Sequence, residues 1–324
     1  MNDVDVVTGA GGFIGGHLVG ELLRQGRQVR AVDVKPFEEW HQLHDDAANT
    51  RGDVALLDDA RRAVAGAEVV YNLAADMGGM GFIENNKAAC MLSVLISTHV
   101  LQASQQAGVE RYFYSSSACV YAADHQTSTS GPQLREGDAY PAMPEDGYGW
   151  EKLFSERMCR HFTDDFGFPT RVARYHNIYG EHGTWRDGRE KAPAALCRKV
   201  AVAALTGEPD IEIWGDGKQT RSFTYIDDCV EGTLRVARSD DPTPVNLGSD
   251  ELVSIDEVVD LLEEISGVTV RRNYDTTAPQ GVRGRCSENT EIRRRLGWQP
   301  STALSVGLER TYAWVYSQVK QHVA

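Results

Sequence analysis

Tyr148 and Lys152 stand four residues apart in Tyr148-Gly149-Trp150-Glu151-Lys152. On a helix that spacing puts a phenol and an ammonium on one face, and the cation favours the phenolate, turning the tyrosine into a usable base near neutral pH. About 30 residues upstream a run of hydroxyls, Ser115-Ser116-Ser117, closes an apolar stretch. Near the start, Thr8-Gly9-Ala10-Gly11-Gly12-Phe13-Ile14-Gly15 places glycines at 9, 12 and 15. Such a turn lets the backbone approach a pyrophosphate, while the helix that Phe13 and Ile14 open directs its free N–H groups at the phosphate charge. Asp33 follows Gly15 by 18 residues at the end of the next strand. A carboxylate there accepts from adenosine ribose hydroxyls and repels a 2′-phosphate, which favours NAD; Lys35 beside it keeps NADP open. The conjunction points to dinucleotide-dependent chemistry in which a phenol moves a proton.

These groups need elements to position them. Val4 to Thr8 reads as a strand and Phe13 to Arg24 as a helix, with Phe13, Ile14, Leu18, Leu22 and Leu23 at helical spacing. Gln28 to Asp33, Glu68 to Ala75, Arg111 to Ser116 and Thr170 to Tyr175 read as further strands. Long helices are expected over about Glu84 to Ala107 and Asp146 to Phe166. Strands alternating with helices predict an α/β fold, a doubly wound parallel Rossmann-type sheet with ligands at the carboxyl ends of its strands. Beyond Ile178 the alternation weakens, which predicts a smaller mixed α/β substrate domain from 179–222 and 249–324. Residues 223–248, with a helix at Phe223 to Arg238 and a strand at Pro244 to Leu247, should rejoin the dinucleotide-binding part at 1–178.

The chain has 324 residues, with 47 acidic against 33 basic side chains and a net charge of −14. That balance argues against nucleic acid and anionic membrane surfaces as partners. No apolar run reaches the roughly 18 to 20 residues of a membrane span. Six cysteines are scattered singly with no short-range Cys/His ligand spacing, so free thiols, a cytoplasmic location and no metal are expected.

Several longer runs are more specific. They are Ala74-Ala75-Asp76-Met77-Gly78-Gly79-Met80-Gly81, Ser116-Ser117-Ala118-Cys119-Val120-Tyr121, and Gly188-Arg189-Glu190-Lys191-Ala192-Pro193-Ala194-Ala195, with the segments 175–180, 214–223 and 281–285. Through them the chain resembles the GDP-mannose 3,5-epimerases, extended short-chain dehydrogenase/reductases acting on nucleotide sugars. The likeness runs from about residue 5 to 316.

The resemblance implies an enzyme with internally recycled NAD, a GDP-hexose substrate and a homodimer built on the two long helices. The C–H bonds at C3 and C5 of a hexose are too weakly acidic for a side-chain base, but a ketone at C4 makes both α to a carbonyl. Tyr148 would take the C4 hydroxyl proton while hydride leaves, and the same hydride would return after epimerisation at C5, with C3 as the second position. Inversion through a planar enolate needs a base on one face and an acid on the other. Cys119 and Lys191 match the family's pair, and a thiol near a lysine ammonium is expected to gain thiolate character while a buried lysine is depressed. Ser117 matches the hydroxyl that bonds the C4 oxygen.

For the cofactor, the resemblance adds Asp53 and Val54 at the adenine, Leu73, Ala74 and Ala75, and Ser116, with Lys152 on the nicotinamide ribose. For the substrate it adds Gly78, Ala118, Asn177, Glu190, Ala192 and Gln219. Arg221, Arg285 and Lys199 are the expected pyrophosphate cations, with Arg283 as the alternative to Arg285. Met91-Leu92-Ser93-Val94 and Tyr121-Ala122-Ala123-Asp124 depart from the family's pattern, which bears on which carbons invert. Other nucleotide-sugar chemistry, a 4-epimerase or a 4,6-dehydratase, is the alternative, and a non-catalytic dinucleotide sensor is a third.

Overall fold

The computed structural model describes residues 4–130 and 133–323. Its first half runs β1 (Val4–Thr8), α1 (Phe13–Arg24), β2 (Gln28–Asp33), β3 (Ala48–Arg51), α2 (Leu57–Val64), β4 (Val69–Asn72), α3 (Met80–Asn85), α4 (Lys87–Gln106) and β5 (Arg111–Ser117). Then come β6 (Gln133–Leu134), α5 (Tyr148–Phe166), β7 (Thr170–Tyr175), β8 (Ile178–Tyr179), α6 (Ala192–Thr206), β9 (Asp210–Trp214), β10 (Thr220–Ser222) and β11 (Thr224–Tyr225). The remainder is α7 (Ile226–Arg238), β12 (Val245–Leu247), β13 (Leu252–Ser254), α8 (Ile255–Ser266), β14 (Arg271–Asp275), β15 (Gly284–Ser287), α9 (Thr290–Leu296) and α10 (Leu304–Val323).

Seven strands form one parallel sheet in the order β12-β7-β5-β4-β1-β2-β3. Helices cover both faces, so its central strands are apolar runs rather than alternating ones: all six residues of β7 are buried. One apolar cluster joins Val7, Leu18 and Tyr175 to Val200, Val258 and Leu308. A second, on the other face, joins Val6, Val70 and Tyr112 to Leu101 on α4 and Cys159 on α5. Strand order reverses between β4 and β1, which opens the crevice at the carboxyl ends where such sheets take their ligands.

The expected helix over 84–107 is two helices. Asn86 leaves the helical region (φ −131°, ψ 41°) and its Nδ2 donates to Phe82 O at 2.9 Å, so the side chain takes a carbonyl of α3 and the chain turns there. Residues 73–75, expected to complete the fourth strand, belong to a loop that runs on to 78. The helix expected from Phe223 starts at Ile226, because Thr224 and Tyr225 pair with Ile178 and Tyr179 as a short ladder. Past Ile178, order is greater than the composition suggests: α6 runs fifteen residues, with Pro193 in its first turn and Gly207 closing it at φ 77°.

Two small sheets flank the crevice, β13-β10-β15-β6 and β14-β9. The first takes β6 from the amino-terminal segment, pairing Cys286 with Gln133. Among the described residues no helix is long and apolar enough to cross a membrane. All six cysteines are free and buried.

Candidate active site

Ser117 is the last residue of β5, and its Oγ accepts from Cys119 N at 3.2 Å, capping the short turn that carries the thiol. Tyr148 is the first residue of α5 and Lys152 lies one turn on. Both are buried, and Tyr148 and Ser117 line one cavity. The Lys152 ammonium lies 5.5 Å from the Tyr148 ring centroid, donates to Ser115 O at 3.1 Å and sits 3.7 Å from Glu151 Oε2. Ser97, Tyr114 and Ser155 all donate to Glu151 Oε1, so this buried carboxylate is held by three hydroxyls.

The simple expectation about the phenol is corrected here. Burial pushes Tyr148 well above its ordinary range, Cys119 and Glu151 push the same way, and the Ser117 hydroxyl only opposes them. The Lys152 ammonium is turned to Ser115 and Glu151.

Ser117, Cys119 and Tyr148 line a cavity of about 340 Å³ together with Lys191, Asn177, Gln219, Arg221 and Arg285. Gly78, Ala118, Glu190, Ala192 and Lys199 line it too. Lys191 caps α6 from outside its first turn. Burial lowers its ammonium, Arg285 adds to this, Cys119 opposes it, and no carboxylate is among the groups acting on it. The Cys119 thiol is pushed up to about 11, first by burial and then by Glu145, against Arg285 and the Ser117 hydrogen bond. The expected thiolate character is therefore overturned in the free protein: desolvation outweighs the neighbouring cations.

Two specific runs fold over this cavity as one unit. Gly79 N donates to Arg189 O at 3.0 Å, and a Cβ on Gly79 would fall onto Glu190 O, so only glycine allows the approach. Arg189 Nη1 donates to Asp76 Oδ1 at 2.9 Å and its guanidinium lies 3.8 Å from the Phe82 ring centroid. Glu190 accepts from Arg198 Nη2 at 3.0 Å, and Gln219 Nε2 donates to Trp214 O at 2.7 Å. Gln219 Oε1 is buried without a partner, an acceptor open to a ligand donor. Asn177 sits at φ 44° and donates to Ser222 O at 2.9 Å.

The cations divide by environment. Arg221 donates only to the carbonyls of Thr220, Gln280 and Val282, and burial with the nearby Arg285 lowers it to about 10. It has no carboxylate hydrogen-bond partner among the described residues and suits an anion from the cavity. Lys199 donates to Glu212 O at 2.6 Å. Arg285 is turned to the reactive end: Nε donates to Gln126 Oε1 at 2.7 Å, Nη1 lies 3.6 Å from Cys119 Sγ, and Nη2 pairs with Glu145. Arg283 lies outside the cavity lining and donates to Asp216 at 2.9 and 3.1 Å.

The dinucleotide positions lie along the carboxyl edge of β1, β2 and β4. Gly12 precedes α1 with no side-chain cap, leaving the first-turn N–H groups of Phe13, Ile14 and Gly15 for an anion. A Cβ on Gly15 would fall onto Gly9 O, so the cradle requires glycine. Asp33 accepts from Gly11 N and Lys35 N, both at 3.0 Å, one per oxygen, which leaves lone pairs for a ribose diol. The donor set thus fits NAD. Leu73 and Ala74 pack on Gly9, with Ala75 next in the chain. Asp53 Oδ1 accepts from Ala55 N at 3.0 Å, a turn-capping bond, and Val54 is buried beside it. The Ser116 hydroxyl is taken up by Glu156, which is itself paired with Arg174, so that side chain supports the fold.

Sequence reasoning missed Glu145, Gln126, Arg198 and Trp214. Trp214 lies in the run 214–223 that the resemblance singled out, and nothing local in the sequence marks the other three.

The NAD dependent epimerase/dehydratase family model matches residues 6–248. GDP-mannose 3,5-epimerase 1 of Oryza sativa subsp. japonica is 46% identical over 97% of this chain and 82% of its own length. GDP-mannose 3,5-epimerase of Arabidopsis thaliana is 44% identical over 98% of this chain and 83% of its own. Among solved structures, UDP-glucuronic acid 4-epimerase from Bacillus cereus, in complex with UDP-glucuronic acid and NAD, superposes with a TM-score of 0.82 at 26% identity, covering 97% of this chain and 99% of that one.

Proposed function

This chain belongs to the GDP-mannose 3,5-epimerases of the NAD dependent epimerase/dehydratase family, and from that premise we propose that it inverts C5 and C3 of GDP-mannose through a transient 4-ketone. Inversion of C5 alone gives GDP-L-gulose, and inversion of both carbons gives GDP-L-galactose. The observation that carries the reading is a thiol and a lowered lysine, Cys119 and Lys191, lining one cavity with Ser117 and Tyr148.

NAD, which the Gly9–Gly15 turn, Asp33 and Lys152 would hold, would supply reversible hydride acceptance from C4. Tyr148 accepts the C4 hydroxyl proton and Ser117 bonds the same oxygen. Lys152, with its ammonium under both the Tyr148 and Tyr114 rings, keeps positive charge beside the phenol as the proton arrives. Cys119 and Lys191 serve opposite faces of the enolate, one removing a proton and the other delivering one. Arg221 and Lys199 hold the pyrophosphate, while Gln219 and Asn177 bond the sugar or nucleotide. In this reading 1–178 and 223–248 carry the dinucleotide, and 179–222 and 249–324 carry the nucleotide sugar.

We assign a homodimer to the outer faces of α4 and α5. Met91, Leu92, Leu95, Trp150 and Phe154 are exposed there, whereas Ser93, Ser97, Glu151 and Ser155 point inward. That inverted amphipathicity leaves an apolar face for a second copy to cover. Six free thiols fit a reducing, cytoplasmic setting.

The test is incubation of the purified protein with GDP-mannose and no added NAD, followed by NMR of the sugar. GDP-L-gulose and GDP-L-galactose are expected, without net NADH. A C4 epimer or a 4-keto-6-deoxy sugar as the product would replace this reading.

A further inference from the structure

Deprotonation at C5 by Cys119 meets an obstacle in the site itself. The thiol is buried and its ordinary range is raised, so the reactive anion is scarce near neutral pH. Glu145 faces it directly. Glu145 N donates to Cys119 O at 3.0 Å, and the Arg285 guanidinium bridges the two side chains, with Nη1 3.6 Å from Cys119 Sγ and Nη2 on Glu145. Arg285 pairs with Glu145 Oε1, while Glu145 Oε2 is buried with no hydrogen-bond partner, which leaves it as an acceptor for a proton. Gln126 in turn donates to Tyr121 O and Ala122 O at 3.2 and 3.3 Å, which directs its Oε1 at Arg285. Arg285 thus joins Gln126, Glu145 and the Cys119 sulfur in one cluster.

We infer that Glu145 is the proton partner of Cys119: as the sulfur takes a proton from C5, the thiol's own proton passes to the Glu145 carboxylate. The balance is complete. The C5–H bond breaks and its electron pair enters the enolate of the C4 ketone; a new S–H bond forms as the old one is given up to Glu145; Lys191 then delivers a proton to the opposite face of C5. The step begins with a carboxylate and an ammonium and ends with a carboxylic acid and an amine, so no free thiolate is formed. Arg285, held by Gln126, keeps Glu145 ionised at rest despite its burial, and Arg221 acts in the same direction. Tyr148 and Lys191 are the remaining titratable groups that sense the thiol. Glu145 does not line the cavity, so it is a positioning residue acting through Cys119.

The inference rests on the epimerase reading, and one experiment separates the two. Deuterium wash-in at C5 of GDP-mannose is measured from about pH 6 to pH 9 for the wild type and Glu145→Gln. The wild type should give a level profile. Glu145→Gln should give a rate rising about tenfold per pH unit, because a thiolate must form before the carbon proton can be taken. A level profile in Glu145→Gln, even at a lowered rate, overturns the inference and leaves the epimerase reading standing; no wash-in by NAD-loaded wild type removes that reading itself. Alkylation of Cys119 by iodoacetamide needs no turnover and serves as the second readout. Its rate should climb at lower pH in Glu145→Gln than in the wild type, since the carboxylate that raises the thiol is gone while Arg285 stays. An unchanged dependence overturns the inference.

Discussion

The two ends of the cavity are built differently. At the hydride end, Ser117, Tyr148 and Lys152 come from two regular elements, the last residue of β5 and the first two turns of α5. Beside them Glu151 takes three hydroxyls on one carboxylate oxygen and has the Lys152 ammonium 3.7 Å from the other. At the proton end, Cys119, Lys191, Glu145 and Arg285 come from four separate places: a short turn, the residue before α6, a loop and β15. Desolvation raises the thiol there and lowers the amine. In the proposed chemistry the redox step thus falls on two regular elements, and the proton transfers fall on loops and element ends.

Substitutions should separate the ends. Tyr148→Phe removes the group that starts the reaction, so C4 oxidation and C5 exchange should both fall, by at least about a hundredfold to ten-thousandfold. Cys119→Ala should lose C5 exchange by a similar factor while bound NAD is still reduced by GDP-mannose, a split visible as NADH absorbance without deuterium uptake. If both steps fall together, the division into two ends is wrong. Arg221→Gln should weaken GDP-mannose binding about tenfold to a hundredfold, the value of a charge-assisted bond, with kcat little changed; calorimetry and KM report it. Leu92→Asp should have the smallest effect on chemistry and a clear one on sedimentation, converting dimer to monomer.

The same contrast governs what could be read in advance. Tyr148 and Lys152 are legible because helical geometry converts a spacing of four into proximity. The turn at Gly9, Gly12 and Gly15 is legible because a missing Cβ is a sequence property. The strand over Thr170 to Tyr175 and the helix over Phe13 to Arg24 match their expected bounds for similar local reasons. Cys119 and Lys191 were singled out by resemblance alone, since nothing local brings them together. Helix α6 escaped because Lys191 before it is no N-cap signal and its run is apolar with little periodicity. Arg283 and Arg285, two apart, would share a face if both lay in a strand; only Arg285 does, and Arg283 is drawn off to Asp216. Glu145 reads as a solvated turn carboxylate in Pro144-Glu145-Asp146-Gly147, and only the tertiary approach of Arg285 shows otherwise. The charge states of Tyr148 and Cys119 escaped for the same reason, because burial is a property of the whole fold.

The central claim is that Tyr148, Cys119 and Lys191 move the protons of one cycle in which C4 is transiently a ketone, C5 and C3 exchange while it exists, and the hydride that left C4 is the one that returns. It is tested most directly by incubating the NAD-loaded protein with GDP-mannose in deuterated water and mapping the label by NMR. The account predicts deuterium at C5 and C3 and none at C4. Deuterium at C4, or epimerised sugar with no deuterium at C5, would contradict it.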